Sequence, residues 1–269
     1  MKDVRPTFFF AVPRIWEKFE DKMKEVAAQA PACARRISGW AKGHGTAGIH
    51  ALINGTKPSM MHSVASGLIL SKIRKAIGLD ECIICFTAAA PLRQSTQDYF
   101  TSLGMPLVNI YGMSETTGPM TTHSFGKFSI TSAGWCIPGC DLKIVNPDQN
   151  GDGEVCLRGR NTMMGYLKNE EATIEIFDDN GYIKSGDIGN VDDRGLVRIT
   201  GRIKELIITA GGENVAPVPI EDNFHHACPP CANIMLVGDY QRFIAALITF
   251  KVDVDLTTML PTHTLAEEA

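Results

Sequence analysis

The chain has 269 residues and a net charge of −4, with 44% hydrophobic and 21% charged residues. This composition is typical of a globular protein with one large or two medium-sized domains. The small negative charge argues against nucleic acid as a partner. No apolar run approaches the about 18 residues of a membrane-spanning helix, and the first residues do not form a secretory signal. We therefore expect a cytoplasmic protein whose eight cysteines are reduced thiols.

The first third of the chain predicts helices separated by a loop. Apolar residues recur at helical spacing over residues 13–30 and are expected to form the buried face; they are Ile15, Phe19, Met23 and Val26. Two further helices are expected at Ala32–Ala41 and Ser63–Ile77, the second ended by Gly78. Between them, Lys42–His62 is rich in Gly, Ser, Thr and Pro and predicts a surface loop.

A strand, a helix and a second strand are predicted next, at Cys82–Thr87, Ser95–Leu103 and Pro106–Tyr111. This order predicts a βαβ unit and therefore a parallel sheet. Ligands of such sheets bind beyond the carboxyl ends of the strands, where this chain has the turn Ala88–Pro91 and the loop Tyr111–Thr117. The small residues of the turn permit close approach of a ligand, and tight packing under the turn explains them equally well.

The loop after the second strand carries side chains that suit a nucleotide. Gly112 ends the strand, and the ring of Tyr111 can stack on a base. The carboxylate of Glu115 suits a hard Mg²⁺ ion that keeps most of its waters. Hydroxyl groups suit phosphate oxygens, and the loop has them at Ser114, Thr116 and Thr117. Taken alone, the loop is also typical of a polar connection after a core strand.

From about residue 134 the pattern changes to short strands and turns, which predicts a small antiparallel sheet or barrel. The predicted strands are Asp141–Val145, Glu154–Arg158 and Leu196–Thr200. Asp187 lies in this region directly after a glycine, so we expect its carboxylate to stand on exposed backbone. There it could bind the two hydroxyls of a ribose or stabilise its own turn.

The segment 201–217 combines charged residues, a strand at Leu206–Thr209 and paired glycines. Arg202–Lys204 is its candidate hinge, because a hinge needs a short segment that absorbs a large backbone change. The elements expected after it are a helix and two strands, at Ile220–His226, Ala232–Gly238 and Phe243–Lys251. The last residues, 256–269, show no clear pattern and are expected to be a frayed end.

Two cysteine pairs have the spacing of a metal chelate. Cys82 and Cys85 are predicted on a strand, where side chains three residues apart point to opposite faces and cannot share a metal ion. Cys228 and Cys231 flank two prolines on a turn. They could bind a metal or do redox chemistry, but no histidine follows at zinc-finger spacing, and a plain loop is the simpler interpretation.

Four motifs occur in the order and spacing of the adenylate-forming superfamily, which contains acyl-CoA synthetases, luciferases and the adenylation domains of peptide synthetases. They are Tyr111–Thr116, Gly153–Gly159 together with Gly165–Tyr166, Ser185–Asp187, and Gly201–Glu205. The opening segment Val4–Lys18 resembles the long-chain fatty acyl-CoA synthetases. Ile207–Glu221 is similar to their bubblegum-type subgroup, which acts on long and very long chains.

The resemblance implies a partial α/β fold of the adenylate-forming type, with a parallel-sheet subdomain, a small β subdomain and the start of a small mobile α+β domain. Residues 1–203 would be the C-terminal portion of the large AMP-binding domain, and residues 204–269 the N-terminal portion of the mobile domain. In the implied reaction, a long-chain fatty acid attacks the α-phosphate of ATP, bound with Mg²⁺, and coenzyme A then displaces AMP. Peripheral contact with a membrane surface, such as that of the endoplasmic reticulum, is compatible with this substrate.

The resemblance also implies a role for each matched residue. Adenine would stack on Tyr111 beside Gly112, in a pocket that is also lined by Ala89, Ala90 and Pro91. Phosphate would contact Ser114, Mg²⁺ would be held by Glu115, and ribose would be bound by Asp187 and Arg202. Lys204 would be the hinge, and Gly211 and Gly212 would pack near the pantetheine channel for coenzyme A.

Two parts of the superfamily pattern are missing. The phosphate loop should lie upstream of Val4, and the catalytic lysine should lie beyond residue 269; Lys251 lies outside any matching motif. We therefore expect a middle-to-late segment of a longer synthetase that is inactive by itself. Two alternatives remain open, namely an inactive nucleotide-binding remnant and an adenylation domain for another carboxylic acid.

Overall fold

The computed structural model describes residues 1–90, 92–124, 127–228, 230–254 and 261–266. The first strand, β1 (Phe8–Ala11), leads into the helix α1 (Pro13–Ala28), which begins at Pro13 as predicted. The predicted apolar face of this helix was partly wrong, because Ile15 is 38% and Val26 61% exposed. The buried face is instead centred on a tryptophan one residue further along.

Trp16 is completely buried and sets the orientation of α1. Its indole N–H lies 3.2 Å from the carbonyl oxygen of Ala11 and 3.3 Å from that of Phe86. Its ring packs edge-on against Phe9 and Phe100, with centroid distances of 5.2 and 5.1 Å. Burial of a large aromatic ring whose N–H is hydrogen-bonded stabilises the packing of α1 more than burial of the aliphatic side chains on the same helix.

The second helix, α2 (Ala32–Ile53), extends through the first part of the segment Lys42–His62. The prediction of a surface loop was therefore wrong over residues 42–53. The glycines that suggested a loop lie inside the helix. A Cβ atom on Gly45 would overlap the carbonyl oxygen of Ser102, and one on Gly48 would overlap the ring of His62. These glycines permit close packing against neighbouring segments, so they do not break the helix.

We expect the substitutions Gly45→Ala and Gly43→Ala to have opposite effects on stability. Gly45 is buried at the contact with Ser102, so its Cβ forces the backbone apart and should destabilise the fold by about 1–3 kcal/mol. Gly43 is exposed, with nothing near its Cβ position, and should gain about 0.5–1 kcal/mol from better helix propensity. Urea unfolding of both variants measures the difference; stabilisation by both would contradict the packing role.

The predicted third helix is present in three parts: α3 (Met60–Ala65), a π-helical turn (Ser66–Leu70) and α4 (Ser71–Ile77), which ends at Gly78. The strand β2 (Ile84–Thr87), the helix α5 (Gln94–Ser102) and the strand β3 (Leu107–Asn109) follow. The three strands form a parallel sheet in the order β1-β2-β3, which confirms the βαβ unit.

The middle of the chain adds two further sheets and a short helix. The elements are β4 (Tyr111–Met113), β5 (Gly118–Thr122), β6 (Trp135–Cys136), β7 (Cys140–Val145), β8 (Gly153–Gly159), α6 (Glu170–Ile176), β9 (Ile183–Val191) and β10 (Val197–Arg202). The first three strands form an antiparallel sheet, and the last four strands form a sheet in the order β10-β9-β8-β7. The mixed α/β class is therefore confirmed.

The last part of the described chain consists of hairpins and one helix. The elements are β11 (Ile207–Ile208), β12 (Asn214–Val215), α7 (Pro217–Ala227), β13 (Cys231–Val237), β14 (Ala245–Phe250), β15 (Val252–Val254) and β16 (Pro261–Leu265). The frayed end predicted over 256–269 was wrong where β16 pairs with β15; residues 255–260 and 267–269 lie outside the described part. No helix within the described residues is long and apolar enough to cross a membrane.

Contacts between residues divide the chain into two compact units. The first unit contains Met1–Lys143, Cys156–Lys184 and Val191–Arg198, and the second contains Ile144–Val155, Ser185–Asn190 and Ile199–Ala269. The boundary between residues 203 and 204 that the resemblance implies remains a prediction about the whole protein.

Candidate nucleotide-binding site

In the first unit, the loop 111–117 begins at the carboxyl end of the parallel sheet. Thr87 at the end of β2 pairs with Asn109 at the end of β3, and the N–H of Ile110 donates to the carbonyl oxygen of Thr87 at 3.0 Å. The chain then forms β4 and one turn of 3-10 helix, Ser114–Thr116. Because β2 and β3 end side by side, the turn after one and the loop after the other leave the sheet at the same edge.

Glu115 is held through both its backbone and its side chain. Its carbonyl oxygen accepts a hydrogen bond from the N–H of Met163 at 2.7 Å, and its Oε1 accepts one from the hydroxyl of Tyr166 at 2.8 Å. The hydrogen bond to Glu115 is the main reason that the pKa of Tyr166 is raised, so this phenol is protonated at neutral pH. Ser114 is exposed. The turn therefore presents an oriented carboxylate beside an exposed hydroxyl.

Asn161 fixes the end of the same loop. Its Nδ2 donates to the carbonyl oxygen of Thr116, and its own carbonyl oxygen accepts from the hydroxyl of Thr117, both at 2.7 Å. Thr116 is buried, and its hydroxyl bonds to backbone groups of Met113 and Gly118. The hydroxyls of Thr116 and Thr117 therefore stabilise the loop. The third hydroxyl predicted to contact phosphate, that of Ser114, makes no such bond to the residues that the structure describes.

Sequence reasoning missed the positioning roles of Asn161 and Tyr166. Both are more than forty residues from the loop along the chain, since their bonds to Thr116 and Glu115 span 45 and 51 residues. A signal was present for Tyr166, because it belongs to one of the four motifs by which the resemblance was drawn. No local pattern indicated Asn161.

The turn after β2 has an unusual backbone conformation. Ala89 has a φ of +75°, a left-handed conformation that costs a non-glycine residue about 1–2 kcal/mol. Ala89 and Ala90 are exposed, which favours ligand approach over tight packing as the reason for the small residues. The hydroxyl of Thr87 just before them is buried and has no hydrogen-bond partner among the described residues. Pro91 lies outside the described residues.

In the second unit, Asp187 and Arg202 form an ion pair, with Nε of Arg202 2.7 Å from Oδ1 of Asp187. Asp187 lies within β9 and is 7% exposed, so the expectation of an exposed carboxylate was wrong. The glycine before it does not end the strand, and the N–H of Asp187 donates to the hydroxyl of Ser185 at 3.0 Å. The guanidinium provides the positive charge that a buried carboxylate needs.

The remaining predicted site residues of the second unit are exposed. Lys204 lies in a turn of 3-10 helix, Ile203–Glu205, directly after β10. Gly211 and Gly212 lie in the tight turn of the β11–β12 hairpin, where the N–H of Gly212 donates to the carbonyl oxygen of Thr209 at 2.9 Å. The predicted site residues that the structure describes therefore fall into two groups, one in each unit.

The cysteine pairs differ from each other in their surroundings. Cys82 and Cys85 were predicted to point to opposite faces of a strand, which was wrong, since their sulfur atoms are 3.6 Å apart. The strand begins only at Ile84, so Cys82 is not bound by strand geometry. The N–H of Cys231 donates to the carbonyl oxygen of Cys228 at 3.0 Å. The described residues contain no group of three or more potential ligands that could hold a metal ion.

A bound Mg²⁺ would therefore depend on Glu115 and on groups that the nucleotide and water supply. This arrangement fits the ion, which keeps several waters and is commonly bound through one or two carboxylates together with substrate phosphates. The exposed hydroxyl of Ser114 next to that carboxylate fits a phosphate oxygen.

The chain is similar to several known proteins. Residues 1–167 match the family described as AMP-binding enzyme. Over its whole length the chain is 46% identical to long-chain-fatty-acid–CoA ligase ACSBG2 of Xenopus laevis and 47% identical to that of Gallus gallus, of which it covers 36% and 35%. It thus spans about a third of the length of the curated relatives that it matches. Among solved structures, ATP-bound MatB from Rhodopseudomonas palustris has a TM-score of 0.58 at 25% identity, over 71% of this chain and 42% of that one.

Proposed function

Since the chain belongs to the family of AMP-binding enzymes, we propose that it is part of a ligase that joins a long-chain fatty acid to coenzyme A. The reaction consumes ATP, and its intermediate is an acyl-adenylate formed with release of pyrophosphate. The identity of 46–47% to ligases of that name, over the whole chain, supports the substrate class. A cytoplasmic location with peripheral contact to the endoplasmic reticulum membrane is part of the same proposal.

The observation that carries the proposal is the oriented carboxylate of Glu115 beside Ser114. In a phosphoryl or adenylyl transfer the protein mainly positions the reactants and neutralises developing negative charge. Glu115 would hold Mg²⁺, which supplies that neutralisation when it is bound. The hydroxyl of Ser114 would donate to a phosphate oxygen, and the bonds of Asn161 and Tyr166 to the loop would keep both groups in place.

The base and the sugar would be bound by the other predicted residues. Tyr111, with Gly112 beside it, would stack on adenine, next to the turn that contains Ala89, Ala90 and Pro91. Asp187 would accept hydrogen bonds from the ribose hydroxyls, and Arg202 would orient that carboxylate while donating to the sugar. The 2.7 Å ion pair between them supports this assignment, because it orients the acceptor before the nucleotide arrives.

The second half-reaction would use the residues after β10. Lys204 would be the hinge at the boundary between residues 203 and 204, and its exposed position in a single turn of 3-10 helix supports this role. Coenzyme A would approach Gly211 and Gly212, whose lack of side chains leaves room for the pantetheine arm. Its thiol would attack the acyl carbonyl, and AMP would leave.

A hybrid ligase tests the proposal directly. In this hybrid, the 269 residues replace the matching segment of the Gallus gallus relative, and pyrophosphate exchange with ATP and palmitate is measured. We expect exchange by the hybrid and none by the isolated 269-residue chain. Exchange supported by a short or aromatic acid, but not by palmitate, would indicate another carboxylic acid. A hybrid that folds but exchanges with no acid would overturn the proposal.

In the hybrid ligase we expect Asp187→Ala to raise the KM for ATP about tenfold or more, because a hydrogen bond to a charged group contributes about 1.5–3 kcal/mol. The matched control is Asp192→Ala. Asp192 also pairs with an arginine, Arg194, at 2.9 Å. The side chain of Asp192 is 16% exposed and that of Asp187 is 10% exposed, and the arginine of each pair is 61% exposed. Equal changes in KM for both variants would contradict the assignment of Asp187 to the ribose.

A further inference from the structure

We propose that Cys82 and Cys85 are a thiol-oxidation site, at which a hydroperoxide converts the two thiols reversibly into an intramolecular disulfide. The site is separate from the residues assigned to the nucleotide. It follows from the placement of the two sulfur atoms, from a cavity that reaches both, and from an arginine at the edge of that cavity.

The distance between the sulfur atoms is short enough for bond formation. They are 3.6 Å apart, and a disulfide needs about 2.05 Å, so they must approach by roughly 1.5 Å. Cys85 lies inside β2, paired with Phe9 on one side and Leu107 on the other, and cannot move far. Cys82 lies before the strand begins at Ile84, so rotation of its side chain can close the gap.

A cavity of about 260 Å³ gives a small oxidant access to the pair. Both cysteines line it, together with Arg74, Met105 and Val108. A water molecule occupies about 30 Å³ of liquid, so hydrogen peroxide fits easily. The Nε of Arg74 is buried and has no hydrogen-bond partner in the part of the chain that the structure describes. Its positive charge acts on Cys85, where it lowers the pKa against the larger raising effects of the Cys82 contact and of burial, and so favours loss of the Cys85 proton when that sulfur attacks.

The contact between the thiols also decides which of them reacts first. Either thiol could donate in this contact, and the Cys82 sulfur also lies 3.2 Å from the carbonyl oxygen of Ile84. With Cys85 as the donor, the bond stabilises the Cys82 thiolate and lowers the pKa of Cys82 to about 7. The same bond, together with burial, raises the pKa of Cys85. The nearby charged groups are Arg74 on α4 and the carboxylates of Asp80 and Glu81, which both pair with Arg5. At neutral pH, Cys82 is therefore the thiol that ionises more readily, with Cys85 as its proton donor.

The reaction has two steps. The Cys82 thiolate attacks one oxygen of hydrogen peroxide, the O–O bond breaks, and a sulfenic acid and hydroxide form. The sulfur of Cys85 then attacks the sulfur of Cys82, the S–O bond breaks, and the hydroxyl leaves as water with the Cys85 proton. Two electrons pass from the thiols to the peroxide, and the hydroxide takes a proton from solvent. A dithiol reductant reverses the change.

Peptide mapping of the 269-residue chain tests the proposal. Trypsin releases residues 76–93, which contain Cys82 and Cys85, and residues 205–242, which contain the control pair Cys228 and Cys231. After hydrogen peroxide and then N-ethylmaleimide, we expect peptide 76–93 to be about 2 Da lighter than its dithiol form and to carry no maleimide, until dithiothreitol is added. Oxidation about tenfold faster than in the control peptide is expected, because the pKa of Cys82 is lowered to about 7. Retention of two alkylated thiols, or conversion of Cys82 to sulfinic acid without a crosslink, would overturn the proposal.

Two variants of residue 85 test the role of its S–H group. In the wild type, the alkylation rate of Cys82 should rise with pH around a midpoint of about 7. Cys85→Ser keeps a donor and should retain a low midpoint, whereas Cys85→Ala should move it towards the ordinary thiol value of about 8.5. Circular dichroism checks that both variants fold. A midpoint near 8.5 in all three proteins would show that the two side chains do not interact and would overturn the pairing.

Discussion

Glu115→Gln is expected to lower the kcat of the hybrid ligase by about 10²–10³-fold, by analogy with the loss of one preorganised charge-stabilising group. The amide has the shape of the carboxylate and can still accept the bond from Tyr166 (2.8 Å in the native protein). The loop should therefore keep its conformation while losing the negative charge that would hold Mg²⁺. The rate is measured by pyrophosphate exchange over a series of Mg²⁺ concentrations, and we expect the half-saturating concentration to rise.

Tyr166→Phe is the matched control for this experiment. It removes the hydroxyl that bonds to Glu115 but leaves the charge in place, so kcat should fall clearly less than in Glu115→Gln, because the hydroxyl only orients the carboxylate. A wild-type kcat for Glu115→Gln would show that this carboxylate does not hold the metal ion. An equally large loss in Tyr166→Phe would show that orientation, and not charge, is the contribution of Glu115.

Trp16→Ala should lower the free energy of unfolding by about 3–5 kcal/mol, the usual cost of removing a large aromatic residue from a core. Trp16 is 0% exposed, packs against Phe9 and Phe100, and donates to two backbone carbonyls. A domain has only about 5–15 kcal/mol of stability in total, so the change is a large share of it. Urea unfolding followed by circular dichroism gives the value.

Trp40→Ala provides the comparison for Trp16. Trp40 lies on α2 and is 40% exposed, with an edge-on contact to His44 at 4.9 Å. Its removal should cost clearly less than that of Trp16, about 1 kcal/mol. If Trp16→Ala does not accumulate as a folded protein, Trp16→Phe, which keeps a ring but loses the N–H, should show an intermediate loss. Equal stability of the Trp16 and Trp40 variants would contradict the central role of Trp16 in this core.

The elements that were predicted well are those in which local chemistry and tertiary packing agree. Gly78 ends α4 because a glycine there adopts the left-handed conformation with a φ of +78°. The strand–helix–strand order of 82–111 required a parallel sheet, since a crossover of that length has few other solutions. The errors arose where packing overrides local preference. The glycines of α2 suggested a loop, but at Gly45 the missing side chain permits contact with Ser102.

The sequence by itself determined the family and the α/β class, and it supplied the residues of the candidate site, because the motifs are short, local and ordered along the chain. Tertiary structure alone decided how those residues are held. The hydrogen bond of Tyr166 to Glu115, the burial of Asp187 against Arg202, and the approach of Cys82 to Cys85 all depend on side-chain directions. Spacing along a chain limits which groups can meet, but only the packed backbone sets the distances and the exclusion of water on which hydrogen bonds and pKa values depend.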